Sequence, residues 1–376
     1  MRSGAERHAQ RHPGIEASGR EPVRPLDAGE LLAAATAGAG TAGAGTARAG
    51  SGSFRFLSEL ELLVESVNAE SRLTASGRAA VRDRLVAALT HQRRLHALVK
   101  ASPAISATPI TRPVFIAGLP GSGASLLQNL LVEHPLLDSP VLWELLDPAS
   151  EGSDYRHRRT LIERARTCVE RSRASAPQCR LGRLREATRP GGCHRLLANA
   201  FQSPMFGMGL RVPRYLRWLE GRDLSDAYAF HRTQLQAVTS RIPAATLLLR
   251  DPFHAAYVGG LLHAYPDARV IRVHRELAHV VAATAGLSST LRSATSTRVD
   301  PRGVRREWAG HLERHLARAD GAAGALEPGR LLDVRHDDLV ADPAGVVRRV
   351  LEFLEVEPAP AVMQNVRGLA RSAYGI

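Results

Sequence analysis

The feature that most constrains the fold is an apolar run followed at once by a glycine-rich turn and an apolar helix pattern. Val114-Phe115-Ile116-Ala117 is short and bounded by turn residues, which is typical of a strand buried on both faces of a parallel sheet. Gly118-Leu119-Pro120-Gly121-Ser122-Gly123 is a loop by composition, and Ala124–Glu133 is predicted to be the helix behind it. Such an order makes an anion site, because glycines let backbone N–H groups point inward and a helix N-terminus carries partial positive charge.

The spacing of Gly118, Gly123 and Ser125 is that of a Walker A loop, but Ala124 stands at the lysine position. An ATPase or kinase needs that lysine on the β- and γ-phosphates, so both are disfavoured. A glycine turn with a purely structural role is the alternative interpretation of the loop.

The rest of the chain predicts a parallel sheet. Further strands are expected at Thr246–Leu249, Arg269–His274 and Arg330–Val334, with helical patterns between them. Asp342 is a good N-cap with Pro343 at the first helical position. Strands separated by helices indicate βαβ units, so we expect an α/β fold with a parallel sheet flanked by helices.

Composition divides the chain in two. Residues 1–52 are rich in Gly, Ala, Arg, Thr and Ser and are predicted to be disordered and of low complexity, apart from a possible short helix at Leu26–Ala35. Residues 53–376 are expected to form one domain, with N-terminal helices over 53–111 and a mostly helical, arginine-rich region over 150–241.

The net charge of +13 invites a nucleic-acid interpretation. However, Lys100 is the single lysine, the arginines are scattered, and aromatic residues make up only 5%. Stacking platforms are therefore scarce, and nucleic-acid binding is not expected.

The cysteines and the hydropathy pattern bear on location. Cys168, Cys179 and Cys193 fit neither a disulfide framework nor a zinc pair, which favours a reducing compartment. No run approaches the roughly 18 apolar residues of a membrane span, and the N-terminal stretch lacks a signal core. We expect a cytoplasmic protein without a membrane span.

Five blocks in order resemble one family. The stretch from Arg112 to Pro120, continuing into Ser122-Gly123 and Leu126-Leu127, is similar to the donor loop of the bacterial-type sulfotransferases. The other blocks, in family order, are Leu142–Leu146, Leu249–His254, Tyr265–Arg275 and the C-terminal strand and helix of Val334–Leu354. The resemblance covers about Leu26 to Val366, nearly the whole segment expected to be ordered.

The resemblance implies a P-loop-like sulfotransferase fold and a donor, 3′-phosphoadenosine 5′-phosphosulfate. Its phosphosulfate would bind the loop, and its 3′-phosphate would bind Arg275, with Thr284 nearby. A metal is not implied. The acceptor would be a hydroxyl or amine of a small molecule or glycan, selected by a helical cap over 150–241. The loop residues so implied are Gly118, Pro120, Gly121, Ser122, Gly123, Ala124 and Ser125.

Three side chains are candidates for the chemistry. Glu144 is the leading general base, because the acceptor must lose a proton as it attacks sulfur; the alternative is a helix-surface glutamate. Arg250 stands where the family has a lysine on the donor, or else pairs with Asp251. His254 is predicted to orient the acceptor or act as a second base, the alternative being a histidine with a structural role at a helix start.

The chain also departs from the family pattern near the chemistry. Gly121 stands where the family has Arg or Lys, Ala124 where it has Thr, and Ala283 where it has Ser. The basic side chain normally stabilises charge as the bond breaks. The alternative function is therefore a catalytically impaired member that binds a nucleotide or anion.

Overall fold

The computed structural model describes residues 24–37, 54–150, 155–175, 187–240 and 246–374. Its strands are β1 (Val114–Ala117), β2 (Leu137–Asp138), β3 (Thr246–Asp251), β4 (Arg269–His274) and β5 (Leu331–Arg335). The helices are α1 (Ala28–Ala37), α2 (Leu57–Glu70), α3 (Ala75–Ala101), α4 (Ala124–Leu131), α5 (Leu142–Leu146), α6 (Tyr155–Ser175), α7 (His194–Ala198), α8 (Phe206–Gly209), α9 (Pro213–Glu220), α10 (Ser225–Thr239), α11 (Val258–Ala264), α12 (Leu277–Ser293), α13 (Pro301–Ala323), α14 (His336–Ala341), α15 (Pro343–Phe353) and α16 (Pro360–Leu369). Short 3₁₀ turns lie at Pro103–Ala107 and His254–Tyr257, and a π turn lies at Ala370–Tyr374.

The five strands form one sheet in the order β2-β3-β1-β4-β5, and every pairing is parallel. β1 is central, with Ala117 opposite Asp251 of β3 and Arg272 of β4. The predicted parallel α/β sheet is thereby confirmed. β2 was missed because two residues are too few for a periodic signal.

The two faces of the sheet carry different helices. Val114 and Ile116 pack in a core with α4, α15 and α16, whereas Phe115 and Ala117 pack on the opposite face in the larger core. All four residues of β1 are buried, as expected for a strand covered on both sides. The predicted Asp342 cap is confirmed, since its side chain accepts a hydrogen bond from the Gly345 N–H at 2.8 Å.

The N-terminal helices join the larger core. Leu31 and Ala35 of α1 are each 1% exposed, and the backbone of Leu26 exchanges two hydrogen bonds with the Asn68 side chain. The short helix expected at Leu26–Ala35 is present as α1. A domain that begins at residue 53 would leave out α1, although α1 packs in the larger core. The other residues assigned to the disordered stretch, 1–23 and 38–52, lie outside the described residues.

The region 150–241 contributes α6 to α10 where the structure describes it. Over the described ranges, no helix combines the length and the apolar character that a membrane crossing requires.

Candidate functional site

The glycine loop, Gly118–Ser125, joins the carboxyl end of β1 to the start of α4. In the sheet, β3 and β2 lie on one side of β1, and β4 and β5 lie on the other. In open α/β sheets, ligands bind at the carboxyl edge where the strand order changes direction in this way. The loop therefore occupies the ligand-binding position of the fold.

Three loop positions require glycine. Gly121 and Gly123 have φ values of 85° and 95°, in the left-handed region that L side chains rarely adopt. A Cβ on Gly118 would lie 2.6 Å from Ser122 Oγ and 2.7 Å from the Ala124 Cβ. The backbone thus curls into a tight cradle: its packing leaves no room for a side chain at Gly118, and its conformation disfavours one at Gly121 and Gly123.

The cradle presents polar groups. The N-cap of α4 is Gly123, which offers no side-chain acceptor to the first N–H groups of the helix. Ser122 Oγ is buried without a hydrogen-bond partner among the described residues. His336, at the start of α14, holds the loop through a hydrogen bond of 2.9 Å between its Nδ1 and the Ser122 carbonyl.

Arg275 follows β4 and reaches the loop. Its Nη1 donates to the Gly121 carbonyl at 2.6 Å. In the part of the chain that the structure describes, no carboxylate forms an ion pair with Arg275. Arg272, by contrast, is neutralised by Asp333 and Asp320. Arg275 is therefore a half-exposed guanidinium fixed over the glycine cradle.

Two of the departures from the family pattern face each other. A Cβ on Gly121 would lie 2.8 Å from the Ala283 Cβ and 3.7 Å from Arg275 Nη1. The small residues at 121 and 283 thus let α12 approach the loop. Thr284, beside Ala283, is fully buried, and its hydroxyl has no partner among the described side chains and backbone. Its place in the donor site stays a prediction.

Arg250 lies on the other side of the loop, near the carboxyl end of β3. Its Nε donates to Gln128 Oε1 of α4 at 2.8 Å, and Gln128 Nε2 donates to Ser139 Oγ at 2.8 Å. Asp251 projects to the opposite face of the strand, where its Oδ1 accepts from the Phe253 N–H at 2.7 Å. Burial raises the pKa of Asp251 to about 6.

His254 lies in the larger core. Its Nδ1 is 2.8 Å from the Tyr228 hydroxyl, and its ring meets Phe115 of β1 edge-on at 4.9 Å. Burial lowers the pKa of His254 well below its ordinary range, and the charges of His231 and Arg250 add to the effect. The imidazole is therefore neutral and is enclosed by Phe115 and Tyr228.

Glu144 is half-buried in the first turn of α5. Its Oε2 accepts a hydrogen bond from the Val141 N–H at 2.9 Å, so the carboxylate caps its own helix. The segment that follows residue 186 bonds to α5 through the N–H groups of Leu142 and Trp143. This segment continues to Cys193, whose N–H donates to the Arg250 carbonyl at 2.7 Å, so α5 and β3 are tied together.

A cleft opens beside the loop, between the end of β4 and the helices α12 and α13. Gly118, Ser122 and Arg275 line one side, and His315 lines the other. Burial lowers the pKa of His315 to about 3, so its ring is neutral. His315 and His336 carry no sequence signal that singles them out. Within the described ranges, no three His, Cys, Asp or Glu side chains are grouped to hold a metal ion.

The fold and the loop define an α/β protein with a central parallel sheet and a glycine cradle after its middle strand. The sequence model of the sulfotransferase family matches residues 113–360. The chain belongs to the sulfotransferase family.

Two solved structures share the fold. Sulfotransferase STF1 from Mycobacterium tuberculosis H37Rv superposes with a TM-score of 0.79 at 22% identity, over 94% of this chain and 100% of that one. Sulfotransferase STF9 from Mycobacterium avium superposes with a TM-score of 0.77 at 23% identity, over 92% of this chain and 88% of that one. No curated protein sequence matches the chain.

Proposed function

We propose that the protein transfers a sulfuryl group from 3′-phosphoadenosine 5′-phosphosulfate to a hydroxyl or amine of a small molecule or glycan. The observation that carries the proposal is the glycine cradle at the carboxyl end of β1 with the Arg275 guanidinium fixed on the Gly121 carbonyl. A cradle of N–H groups suits the oxygens of a phosphosulfate, and a guanidinium suits a phosphate dianion.

The residues present fit this donor. The buried hydroxyl of Ser122 has no partner among the described residues, so it can donate to an oxygen of the donor. The proposed donor carries several negative charges, and Arg275 and Arg250 flank the loop on its β4 and β3 sides. These two arginines would neutralise charge at the two ends of the donor, Arg275 at the 3′-phosphate and Arg250 at the sulfuryl group.

Such a transfer also needs a group that takes the acceptor's proton. Glu144 and His254 were the candidates from the sequence. Glu144 is engaged by the Val141 N–H, and His254 is enclosed with Tyr228 and Phe115. His254 would have to leave these contacts to reach an acceptor, and both assignments stay predictions.

A second function is favoured by one observation. Gly121 lacks the basic side chain that the family has at this position. A Cβ on Gly121 would lie 2.8 Å from the Ala283 Cβ, so the space for such a side chain is closed. A member that binds the nucleotide without turning it over is the alternative.

The test is a transfer assay with ³⁵S-labelled donor against panels of phenols, alcohols, amines and sugars, paired with calorimetric titration of the product nucleotide. Labelled product is expected with at least one acceptor class. Nucleotide binding without any labelled product would favour the non-catalytic alternative. Neither binding nor transfer would refute both.

A further inference from the structure

The Gly191–His194 turn, which leads into α7, places a histidine beside Arg250. A Cβ on Gly192 would lie 2.5 Å from His194 Nδ1 and 3.3 Å from Arg250 Nη2. The imidazole and the guanidinium therefore converge on the same side of one glycine, and any other residue at 192 would push them apart. His194 is half-buried, so its ring lies neither in the core nor fully in solvent.

Four hydrogen bonds hold this turn and Arg250 in place. The Cys193 N–H donates to the Arg250 carbonyl at 2.7 Å. Gln128 of α4 accepts from Arg250 Nε at 2.8 Å and donates to the Gly191 carbonyl at 3.3 Å. The Gly191 N–H donates to the Pro140 carbonyl at 3.0 Å. The same hydrogen bonds therefore position His194 and Arg250. Gln128, which joins the two segments, lies one helical turn after the start of α4 and thus close to the glycine cradle.

We infer that His194 is the general base that accepts the acceptor's proton, an inference that rests on the proposed function. An acceptor oxygen or nitrogen placed between Arg250 and His194 would attack the sulfur of the phosphosulfate. The new bond to sulfur forms as the bond from sulfur to the bridging oxygen breaks, and that electron pair leaves on the phosphate oxygen of the product nucleotide. The acceptor's proton passes to an imidazole nitrogen of His194 and then to solvent.

Geometry favours His194 over the two candidates from the sequence. Its ring lies against the same glycine as the Arg250 guanidinium, which the proposed function places at the sulfuryl group. Glu144 caps α5, and His254 lies with Phe115 on the face of the sheet away from α4. A base and a cation within reach of one reacting centre are the arrangement that general-base catalysis requires.

The test compares His194→Gln and His194→Ala with His96→Gln, a control on an exposed histidine of α3. Both His194 variants should lose about 10²- to 10⁴-fold in kcat with labelled donor and the best acceptor, the usual effect of removing a general base. The acidic limb of the wild-type kcat/KM profile should disappear, and added imidazole should restore part of the activity of His194→Ala. Product-nucleotide affinity should change less than about threefold, because His194 is not assigned to the donor.

The outcomes separate this inference from the proposed function. If folded His194→Ala transfers sulfate at the wild-type rate and with an unchanged pH profile, the role of His194 is overturned and the proposed sulfotransferase activity stands. Activity lost together with nucleotide affinity, and not restored by imidazole, also overturns it, because His194 would then only support Arg250. A wild-type protein that transfers no sulfate refutes the proposed function itself, and His194 then has no proton to accept.

Discussion

Arg275→Ala should weaken binding of the product nucleotide, 3′-phosphoadenosine 5′-phosphate, by about 10- to 100-fold. The guanidinium is already held in place by the 2.6 Å bond to the Gly121 carbonyl, so binding a phosphate costs little side-chain ordering. One or two hydrogen bonds to a charged group contribute about 1.5–3 kcal/mol, and each 1.4 kcal/mol is tenfold in affinity. Because Arg275 is half-exposed, solvent screening keeps the loss within the lower part of that range.

Two controls make the titration specific. ADP lacks the 3′-phosphate, so its affinity should fall only slightly in Arg275→Ala. Arg335, which ends β5 opposite His274 and is exposed, lies at the same sheet edge, and Arg335→Ala should weaken binding less than about threefold. Equal losses for the two nucleotides would show that Arg275 supports the loop rather than reading the phosphate. Equal losses of affinity in Arg275→Ala and Arg335→Ala would show that Arg275 acts only through the overall positive charge of this sheet edge.

Three further predictions concern stability, measured by urea unfolding. Gly121→Arg should cost at least about 1 kcal/mol, since φ is 85° and the new Cβ would meet Ala283 at 2.8 Å; wild-type stability would refute the strain. Leu31→Ala should cost about 2–4 kcal/mol and half-buried Leu32→Ala clearly less; equal small losses would mean that α1 is dispensable. Burial alone raises the pKa of Glu220, but hydrogen bonds from His311 and Arg314 lower it to about 2. The ionised carboxylate therefore stabilises the fold at pH values above the ordinary pKa of glutamate, and this stabilisation is lost as the pH falls towards 2. Glu220→Gln should therefore be destabilised at pH 6 and converge with wild type near pH 2, and a constant difference would contradict this.

The sheet and the loop were predictable because their signals are local. A four-residue apolar run, a glycine-rich turn and an apolar helix pattern lie together in sequence, and β1 and α4 occur at Val114–Ala117 and Ala124–Leu131. β4 lies at the predicted residues, since proline and charged residues bound its apolar run. Asp342 caps α15 because that interaction involves neighbours only.

Contacts between distant segments were not predictable. His194 and Arg250 meet only because Gln128 and the Cys193 N–H fold the Gly191–His194 turn onto β3. Likewise, the closeness of Gly121 and Ala283 depends on how α12 packs against the loop. A sequence indicates which residue types are available, whereas such a site depends on the tertiary packing that brings them together.

α1 illustrates the same limit for stability. Its alanine-rich sequence carries a weak apolar pattern, and short helices of this kind are marginal in isolation. Burial of Leu31 against the N-terminal helices supplies what the local sequence lacks.

The most direct test of the donor site is calorimetric titration of the wild-type protein with 3′-phosphoadenosine 5′-phosphate, followed by thermal unfolding in its presence. The glycine cradle and Arg275 imply saturable binding of one nucleotide per chain. At 100 times the dissociation constant, the nucleotide should stabilise the fold by about 2.7 kcal/mol, a clear rise in the melting temperature. No heat of binding and no shift in the melting temperature at millimolar nucleotide would contradict the donor site.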